Sequence, residues 1–322
     1  MKKTLLIILS VALGLTAFSF TRDQAIRLAA GGIGSHMMGA PLRIGGFSLS
    51  LLRQKVRIKG ILLGNPAGFP RGTLVDLSLV SVDLDSVALL KGLVHMPQVT
   101  IELKEVDLVK NKEGALNVDA LKVLQEKEKA PGAQKSKQGT KPAEMMPFRI
   151  DILNLSVERV VLKDYSAAQE PALNVYEINM DKSYKNIHSP QQVVGIVLSE
   201  PMKAAGIKGA AIYGISALTG AAFLPVAAGV MLAGKDSIVR DFQVPADKAF
   251  DAALSAVQKL GRVTRQNKGA GTIGAKVRSA SVAVKVREKE GGCEVTVSAR
   301  QYSLPKPEIA SGIVYEMSKT LK

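Results

Sequence analysis

Residues 41–122 carry the pattern that most constrains the fold, because apolar and polar residues alternate there through several short runs. Side chains two positions apart lie on one face of a strand, so the alternation predicts a β-sheet with an apolar face and a polar face. The alternation resumes at residues 148–157 and 173–180, which indicates that these segments continue the same sheet. The positions that we assign to the lining of an apolar groove are Leu42, Ile44, Phe47, Leu49, Val56, Ile58, Val75, Leu77, Val99, Ile101, Leu103, Ile150 and Ile152.

The apolar phase shifts by one residue within several of these runs. Apolar residues at 75, 77 and 79 are followed by others at 80, 82 and 84, and those at 148, 150 and 152 by others at 153, 155 and 157. A one-residue shift turns the following side chains to the other face unless a bulge or bend absorbs it. We therefore predict bulged or strongly coiled strands, which would curve the sheet into a trough.

The N-terminus has the features of an export segment. Two lysines precede an almost uninterrupted apolar run at residues 5–20, which would be about 25 Å long as a helix. It is either a cleaved signal peptide, which the small residues Ala17 and Ser19 favour, or a retained signal anchor. Both interpretations export the rest of the chain. A short helix is expected at residues 21–34, with His36 in the loop that follows.

A second apolar segment, residues 209–233, contains no charged residue. Its length suits a membrane span, although Pro225 interrupts it and its many Ala and Gly residues are only weakly hydrophobic. Three interpretations stay open. The segment is a second span, a helical hairpin on or in the membrane surface, or an apolar helix that plugs the end of the sheet.

Five motifs in the first half of the chain give it a resemblance to the AsmA-like family of bacterial envelope proteins. They lie at residues 39–45, 47–50, 65–70, 76–92 and 111–121. The turn Asn-Pro-Ala-Gly-Phe-Pro and the closing motif are the most specific of them. The resemblance implies a retained membrane anchor, a short helix between the membrane and the sheet, and a role in outer-membrane biogenesis.

We therefore predict an α+β chain with an N-terminal membrane helix. Residues 1–20 form the signal anchor, and residues 21–200 form an AsmA-like coiled antiparallel β-sheet, interrupted by a linker at residues 125–147. Residues 201–236 form an apolar helical or second membrane segment, and residues 237–322 form a small α+β domain. About eight strands in the first sheet would span about 40 Å. The chain would then act as one segment among partners, or not as a conduit.

Residues 237–322 show the order β-α-β-β-β-β-α, in which the helices would cover one face of an antiparallel sheet. This unit resembles the small domains of bacterial envelope lipoproteins, a resemblance that implies no activity. The residues that carry it are Phe242, Phe250, Ala253, Leu254, Leu260, Gly261, Gly271, Ile273, Ala275 and Lys276.

No set of residues typical of catalysis stands out, so we predict a protein that is not an enzyme and uses no cofactor or metal. Residues 269–274 fit G-x-G-x-x-G, but a strand and not a helix is expected after them, which argues against a dinucleotide site. His36, His95 and His188 lie apart without other ligands at metal-binding spacing, and we expect a structural role for His95. The single cysteine, Cys293, is expected in the core.

The formal net charge of +15 suits an anionic partner such as a lipid surface. An aromatic content of 4% without tryptophan argues against a site for single-stranded nucleic acid. Four basic residues follow the polar phase beside the groove, where they would either contact anionic headgroups or solvate a sheet edge. These headgroup candidates are Arg53, Lys55, Arg57 and Lys59.

What the family resemblance implies is phospholipid handling between membranes, in which the groove would shield acyl chains while headgroups stay in water. The expected location is the bacterial inner membrane, with the bulk of the chain facing the periplasm. The expected partners are that membrane, phospholipid and other envelope proteins, and no nucleic acid. The alternative is a structural or assembly factor, whose groove is merely its packed core and whose C-terminal domain binds another envelope protein.

Overall fold

The computed structural model describes residues 31–50, 53–125, 147–166, 170–207 and 237–321. The predicted anchor at residues 1–20, most of the predicted linker at residues 125–147 and the apolar segment at residues 209–233 lie outside these ranges. Within the described ranges, no helix combines the length and the apolar character that crossing a bilayer requires.

Among the described residues, six strands pair in chain order to form the first sheet, for which the sequence predicted about eight. At about 4.8 Å between strands, they span about 24 Å. The strands are β1 (Leu42–Ser50), β2 (Lys55–Gly64), β3 (Thr73–Asp83), β4 (Val94–Lys110), β5 (Phe148–Asp164) and β6 (Ala172–Ile187). The helices of this part are α1 (residues 31–38), α2 (Ser86–Leu90), α3 (Lys122–Gln125) and α4 (Pro190–Ala204), and a 3₁₀ turn spans Asn117–Ala120.

Strands β4 and β5 pair in parallel, which corrects the prediction of a wholly antiparallel sheet. The other neighbouring strands of this sheet are antiparallel. Parallel neighbours need a long crossover connection. Residues 111–147 supply it, because they carry the chain from the end of β4 to the start of β5. The predicted linker therefore belongs to a crossover and does not interrupt an antiparallel meander.

Irregularities in the strand pairing confirm the predicted phase shift in β3, where the register with β4 changes between Asp76 and Leu79. In β5 the shift falls earlier than predicted. Ile150 and Leu153 are both buried, whereas Ile152 is exposed, so the change of face comes before Ile152.

Helix α4 covers the apolar face of the first sheet over β4, β5 and β6. As predicted, Ser189 and Pro190 begin the helix, and the Ser189 hydroxyl accepts a hydrogen bond of 3.2 Å from the backbone N–H of Gln192. Its buried side chains, including Leu198 and Met202, join the main core of the sheet. The helix ends at Ala204, beyond the predicted boundary at residue 200.

Residues 237–321 form the predicted α+β unit, and the predicted order of its elements is confirmed, with one short strand added. The elements are β7 (Ser237–Phe242), α5 (Ala246–Leu260), β8 (Arg262–Asn267), β9 (Thr272–Val277), β10 (Ala280–Lys289), β11 (Gly292–Gln301), β12 (Leu304–Pro305) and α6 (Pro307–Thr320). Strands β8 to β12 pair in sequence, and β7 pairs with β11 along the edge that faces away from β10, next to β12. Cys293 is buried in this core, as predicted. The glycine motif at residues 269–274 lies in the β8–β9 hairpin and a strand follows it, also as predicted.

The second unit packs on the polar face of the first sheet, opposite α4. Arg278 donates hydrogen bonds to the carbonyl oxygen of Leu173 at 3.2 Å and to the side chain of Asn174 at 3.1 Å. A small apolar cluster joins β5 and β6 to α5 and α6, and it consists of Val161, Leu173, Val175, Leu260 and Tyr315. The sheet is therefore covered on both faces, although only in part.

His36 lies in helix α1 and not in a loop, which corrects the prediction. The helix continues past Gly34 and ends at Gly39, whose φ of 68° suits a glycine after a helix C-terminus. The Ser35 hydroxyl also accepts a hydrogen bond of 2.8 Å from the N–H of Leu42, which ties the helix to the start of β1. The part of the predicted helix before residue 31 lies outside the described residues.

Candidate functional site

Cross-strand register brings the predicted groove residues together on one face of the first sheet. Leu49 pairs with Val56, Val56 with Val82, and Val82 with Val99. Residues directly opposite each other on neighbouring strands present their side chains to the same face. The other rows of β1 to β4 repeat this arrangement, and many apolar side chains of β5 and β6 join the same core. Val161, Leu173 and Val175 are exceptions, because they face the second unit.

Ile152 is the exception among the groove candidates. It pairs with Gln98 and Lys185 and is 37% exposed on the opposite, polar face. The early change of face in β5 is the reason, since it leaves Ile150 and Leu153 on the apolar side and turns Ile152 outward.

The apolar face has a filled part and an open part. In the filled part, five of the candidates are buried in the core that α4 helps to form: Val75, Val99, Ile101, Leu103 and Ile150. The open part lies on β1, β2 and β3, where apolar side chains are only half-buried. We call it the open apolar face, and it consists of Leu42, Ile44, Phe47, Leu49, Val56, Ile58, Ile61, Leu77, Val80 and Val82.

Three residues of the open apolar face, Ile61, Val80 and Val82, were not among the candidates. Strict alternation places Ile61 on the face opposite Ile58, but Gly60 adopts a φ of 61° between them and both residues meet the apolar face. The shift in β3 returns Val80 and Val82 to that face in the same way. A glycine inside an alternating run was the available signal, because it often marks a bulge.

One end of the apolar face is closed by the segment that follows β4. Leu116, Val118 and Leu121 are buried there and belong to the main core, and Met38 at the end of α1 packs against the same cluster. The open apolar face therefore continues from a packed core and extends toward the β1–β2 turn and α2.

Three of the headgroup candidates, Lys55, Arg57 and Lys59, lie on the polar face of β2, as their phase predicted. Lys55 forms an ion pair of 2.9 Å with Asp83. Because the sheet separates this face from the apolar one, these side chains cannot hold the headgroup of a lipid whose chains lie midway along the groove. Arg53 is in the exposed β1–β2 turn, at the end of the groove.

A polar cluster that no local pattern of the sequence predicted lies between the first sheet and α6. The hydroxyl of Tyr315 donates a hydrogen bond of 2.7 Å to Glu105, and Lys163 pairs with Asp107 at 2.7 Å. Burial, and then the negative charge of Asp107, raise the pKa of Glu105 above its ordinary value. These residues line a cavity of about 270 Å³. Their hydrogen bonds and ion pairs suit a structural joint, since α6 docks directly beside them.

We expect Tyr315→Phe to weaken this joint. The variant loses the hydrogen bond to Glu105 and leaves a partly buried carboxyl group without that donor, at a cost of about 1 kcal/mol in the free energy of unfolding. Urea denaturation of the full chain measures the change. Tyr302→Phe is the matched control, because Tyr302 is 87% exposed and its change should have no measurable effect. Equal stability of both variants and the wild type would contradict the assigned role.

His95 is held between two carboxylates, which agrees with the structural role that we expected for it. Its Nδ1 lies 3.0 Å from Asp85 and its Nε2 lies 2.9 Å from Asp151. The hydrogen bond to Asp151 is the largest cause that raises the pKa of His95 above its ordinary value, and the hydrogen bond to Asp85 is the next. The bond to His95 is also the main cause that lowers the pKa of Asp151. The imidazolium thereby ties the start of β4 to β5 and to the residue that caps α2.

Stability should fall as pH rises through the folded-state pKa of His95. A histidine whose pKa is higher in the folded state contributes stability that is complete below its unfolded-state pKa, about 6.5, and that disappears above the folded-state value. The urea midpoint of the wild type should therefore decrease as the pH rises above about 6.5. His95→Asn should flatten that decrease, while His188→Asn, at an exposed position, should not. An unchanged slope in His95→Asn would refute the assignment.

Within the described residues, no group of three or more His, Cys, Asp or Glu side chains is arranged to hold a metal ion. The feature with the clearest chemical use is the open apolar face, because it leaves a continuous row of aliphatic and aromatic side chains accessible beside a packed core. Such a surface lowers its free energy by contact with another apolar group.

Comparison with known proteins adds a family match. The family model described as the AsmA family matches residues 3–274, which extends past the first sheet into the α+β unit. No curated protein matches the chain. Among the solved structures, "Crystal structure of Ara h 8.0201" is 15% identical, covers 26% of this chain and 95% of that chain, and has a TM-score of 0.17, which is too low to support an argument. The resemblance of the C-terminal unit to lipoprotein domains is not confirmed and stays a prediction.

Proposed function

We propose, from the premise that this chain belongs to the AsmA family, that it is an envelope protein that takes part in outer-membrane assembly by handling phospholipid. In this proposal the open apolar face receives acyl chains while the headgroups stay in water. The chain acts without catalysis, and the N-terminal segment anchors it in the inner membrane with the bulk in the periplasm. The described sheets are not curled, which corrects the prediction of a coiled trough, so the proposal rests on the open apolar face itself.

The observation that carries the proposal is the division of the apolar face into a filled and an open part. Over β4 to β6, the helix α4 supplies the apolar side chains that complete the core. Over β1 to β3, the row that includes Phe47, Ile58 and Val80 continues the same face but remains half-buried. An acyl chain would complete that part as α4 completes the other, with about 0.8 kcal/mol gained for each methylene group removed from water.

The dimensions of the open apolar face support an acyl ligand. Strand β2 has ten residues and is therefore about 33 Å long, which exceeds the length of one acyl chain, since two opposed chains fill a hydrocarbon core of about 30 Å. The whole sheet is about 24 Å across, much too narrow to connect two membranes. We therefore propose that the chain provides one lipid-binding segment that works with other envelope proteins.

A second candidate function is that of an assembly factor that binds another envelope protein and carries no lipid. One observation favours it, since α4 already fills the face over β4 to β6 with the chain's own side chains. A partner protein could cover the open part in the same way.

Extraction of lipid from the purified full chain separates the two candidates. The chain is purified in a detergent that is mild enough to retain bound lipid, and its phospholipid is extracted and counted per protein. A defined, stoichiometric amount that survives delipidating washes supports phospholipid handling. A chain that is folded but carries no more phospholipid than an unrelated membrane protein prepared in parallel supports the assembly factor.

A further inference from the structure

Helix α2 presents three aliphatic side chains to solvent. Val87 is 59% exposed, Leu89 46% and Leu90 90%, and the helix has no buried residue. Its position is nevertheless fixed, because the Asp85 carboxylate caps it by accepting a hydrogen bond of 2.9 Å from the N–H of Ala88. Because the helix is held in place, its exposed aliphatic side chains indicate a contact surface and not a fraying terminus.

The β1–β2 turn lies beside α2 at the same end of the sheet. The N–H of Leu84 donates a hydrogen bond of 2.8 Å to the carbonyl oxygen of Gln54, and the N–H of Ser86 donates one of 3.3 Å to the Gln54 side chain. We call this end, residues 53–54 and 84–93, the tip. The open apolar face runs directly to it through Leu49 and Val82.

The charges around the tip favour an anionic partner. Among the described residues, the three aspartates at this end are each paired with a basic group: Asp83 with Lys55 at 2.9 Å, Asp85 with His95 at 3.0 Å, and Asp151 with His95 at 2.9 Å and Arg149 at 2.7 Å. The exposed side chains of Arg53, Arg57 and Lys91 form no ion pair with another described residue. The acidic groups are thus neutralised while basic groups remain free.

We propose that the tip docks on an anionic lipid bilayer, with Val87, Leu89 and Leu90 inserted at the level of the headgroups and the free basic side chains against the anionic surface. Aliphatic side chains surrounded by basic ones are the pattern of interfacial membrane contacts. The inference rests on the proposed function in one respect, because it makes the tip the point at which acyl chains pass between the bilayer and the open apolar face.

The tip is distinct from the N-terminal segment as a membrane contact. Helix α1 enters the sheet at the start of β1, whereas α2 lies at the opposite end of the strands, about 33 Å away along β2. The tip and the described start of the chain therefore lie at opposite ends of the strands.

Fluorescence quenching of a label at the tip tests the proposal in the full chain. In a Cys293→Ala background, a polarity-sensitive fluorophore is attached to Leu90→Cys or, as the control, to Tyr302→Cys, which is equally exposed in the turn between β11 and β12. The chain is reconstituted into vesicles that contain phosphatidylglycerol and brominated acyl chains. We expect several-fold stronger quenching at position 90 than at position 302, and a clear loss of that difference in vesicles of brominated phosphatidylcholine without phosphatidylglycerol.

Three outcomes would overturn the proposal. They are no quenching at position 90, equal quenching at both positions, and a blue shift at position 90 without quenching, which would indicate a protein partner or a second copy. Extraction of phospholipid from the same purified chains before reconstitution separates this test from that of the proposed function. Bound phospholipid without quenching rejects the tip alone, and quenching without bound phospholipid rejects the open apolar face as a lipid site.

Discussion

Ile58→Glu is expected to remove at least about nine-tenths of the phospholipid that purifies with the wild-type chain. Ile58 lies in the middle of the open apolar face, paired with Phe47 on β1 and with Val80 on β3. A carboxylate there would have to lose its hydration against an acyl chain, which costs several kcal/mol unless it is paired. Phospholipid extracted per protein, from wild type and variant purified side by side, measures the effect.

Ile152→Glu is the matched control for this variant. It introduces the same group at an isoleucine of the same sheet, but on the polar face and opposite Lys185. Its bound phospholipid should equal that of the wild type. Urea denaturation of both variants verifies that they fold. Retention of lipid by a folded Ile58→Glu, or equal losses in both variants, would show that the lipid binds elsewhere.

Asn117→Ala is expected to lower the free energy of unfolding by about 3 kcal/mol. The Asn117 side chain is buried, and its amide nitrogen donates hydrogen bonds of 2.7 Å to the Asn65 side chain and of 2.8 Å to the carbonyl oxygen of Asp107. Its amide oxygen accepts one of 3.0 Å from the N–H of Val109. Alanine would leave all three partners unsatisfied, two of them on the buried end of β4. Urea denaturation of the full chain gives the difference.

Asn111→Ala provides the comparison for Asn117→Ala. Asn111 also bonds to the backbone, since its side chain accepts a hydrogen bond of 2.8 Å from the N–H of Ala115, but this bond is exposed. Water can replace it, so the loss should stay below about 1 kcal/mol. A loss for Asn117→Ala no larger than for Asn111→Ala would mean that the link between the turn at residues 65–70 and the segment after β4 is dispensable.

Much of the fold follows from the period of the sequence. Alternation in β10 and β11 placed Cys293 in the core, and Ser189 with Pro190 located the start of α4. Alternation also placed the groove candidates on one face, because residues two positions apart on a strand lie on the same face. Alternation was wrong for Ile152, where the strand changes face. It also did not assign Ile61 to the apolar face, because Gly60, with its positive φ, interrupts the period there.

Other features depend on contacts between segments that are distant in the sequence, and no local pattern predicts these. The parallel pairing of β4 and β5 depends on where the crossover ends. The filling of half the apolar face depends on the direction in which α4 leaves β6. The bonds of His95 to Asp85 and Asp151, and that of Tyr315 to Glu105, join groups that the sheet and the second unit bring together.

Photocrosslinking from a residue of the open apolar face is the most direct measurement of lipid contact there. A photoreactive amino acid replaces Phe47, which faces Ile58 across β1 and β2, and, in a separate chain, Ile152 on the polar face. After irradiation of growing cells, the purified chains are analysed by mass spectrometry. We predict a phospholipid adduct at position 47 and none at position 152. No lipid adduct at position 47, or equal adducts at both positions, would contradict the account.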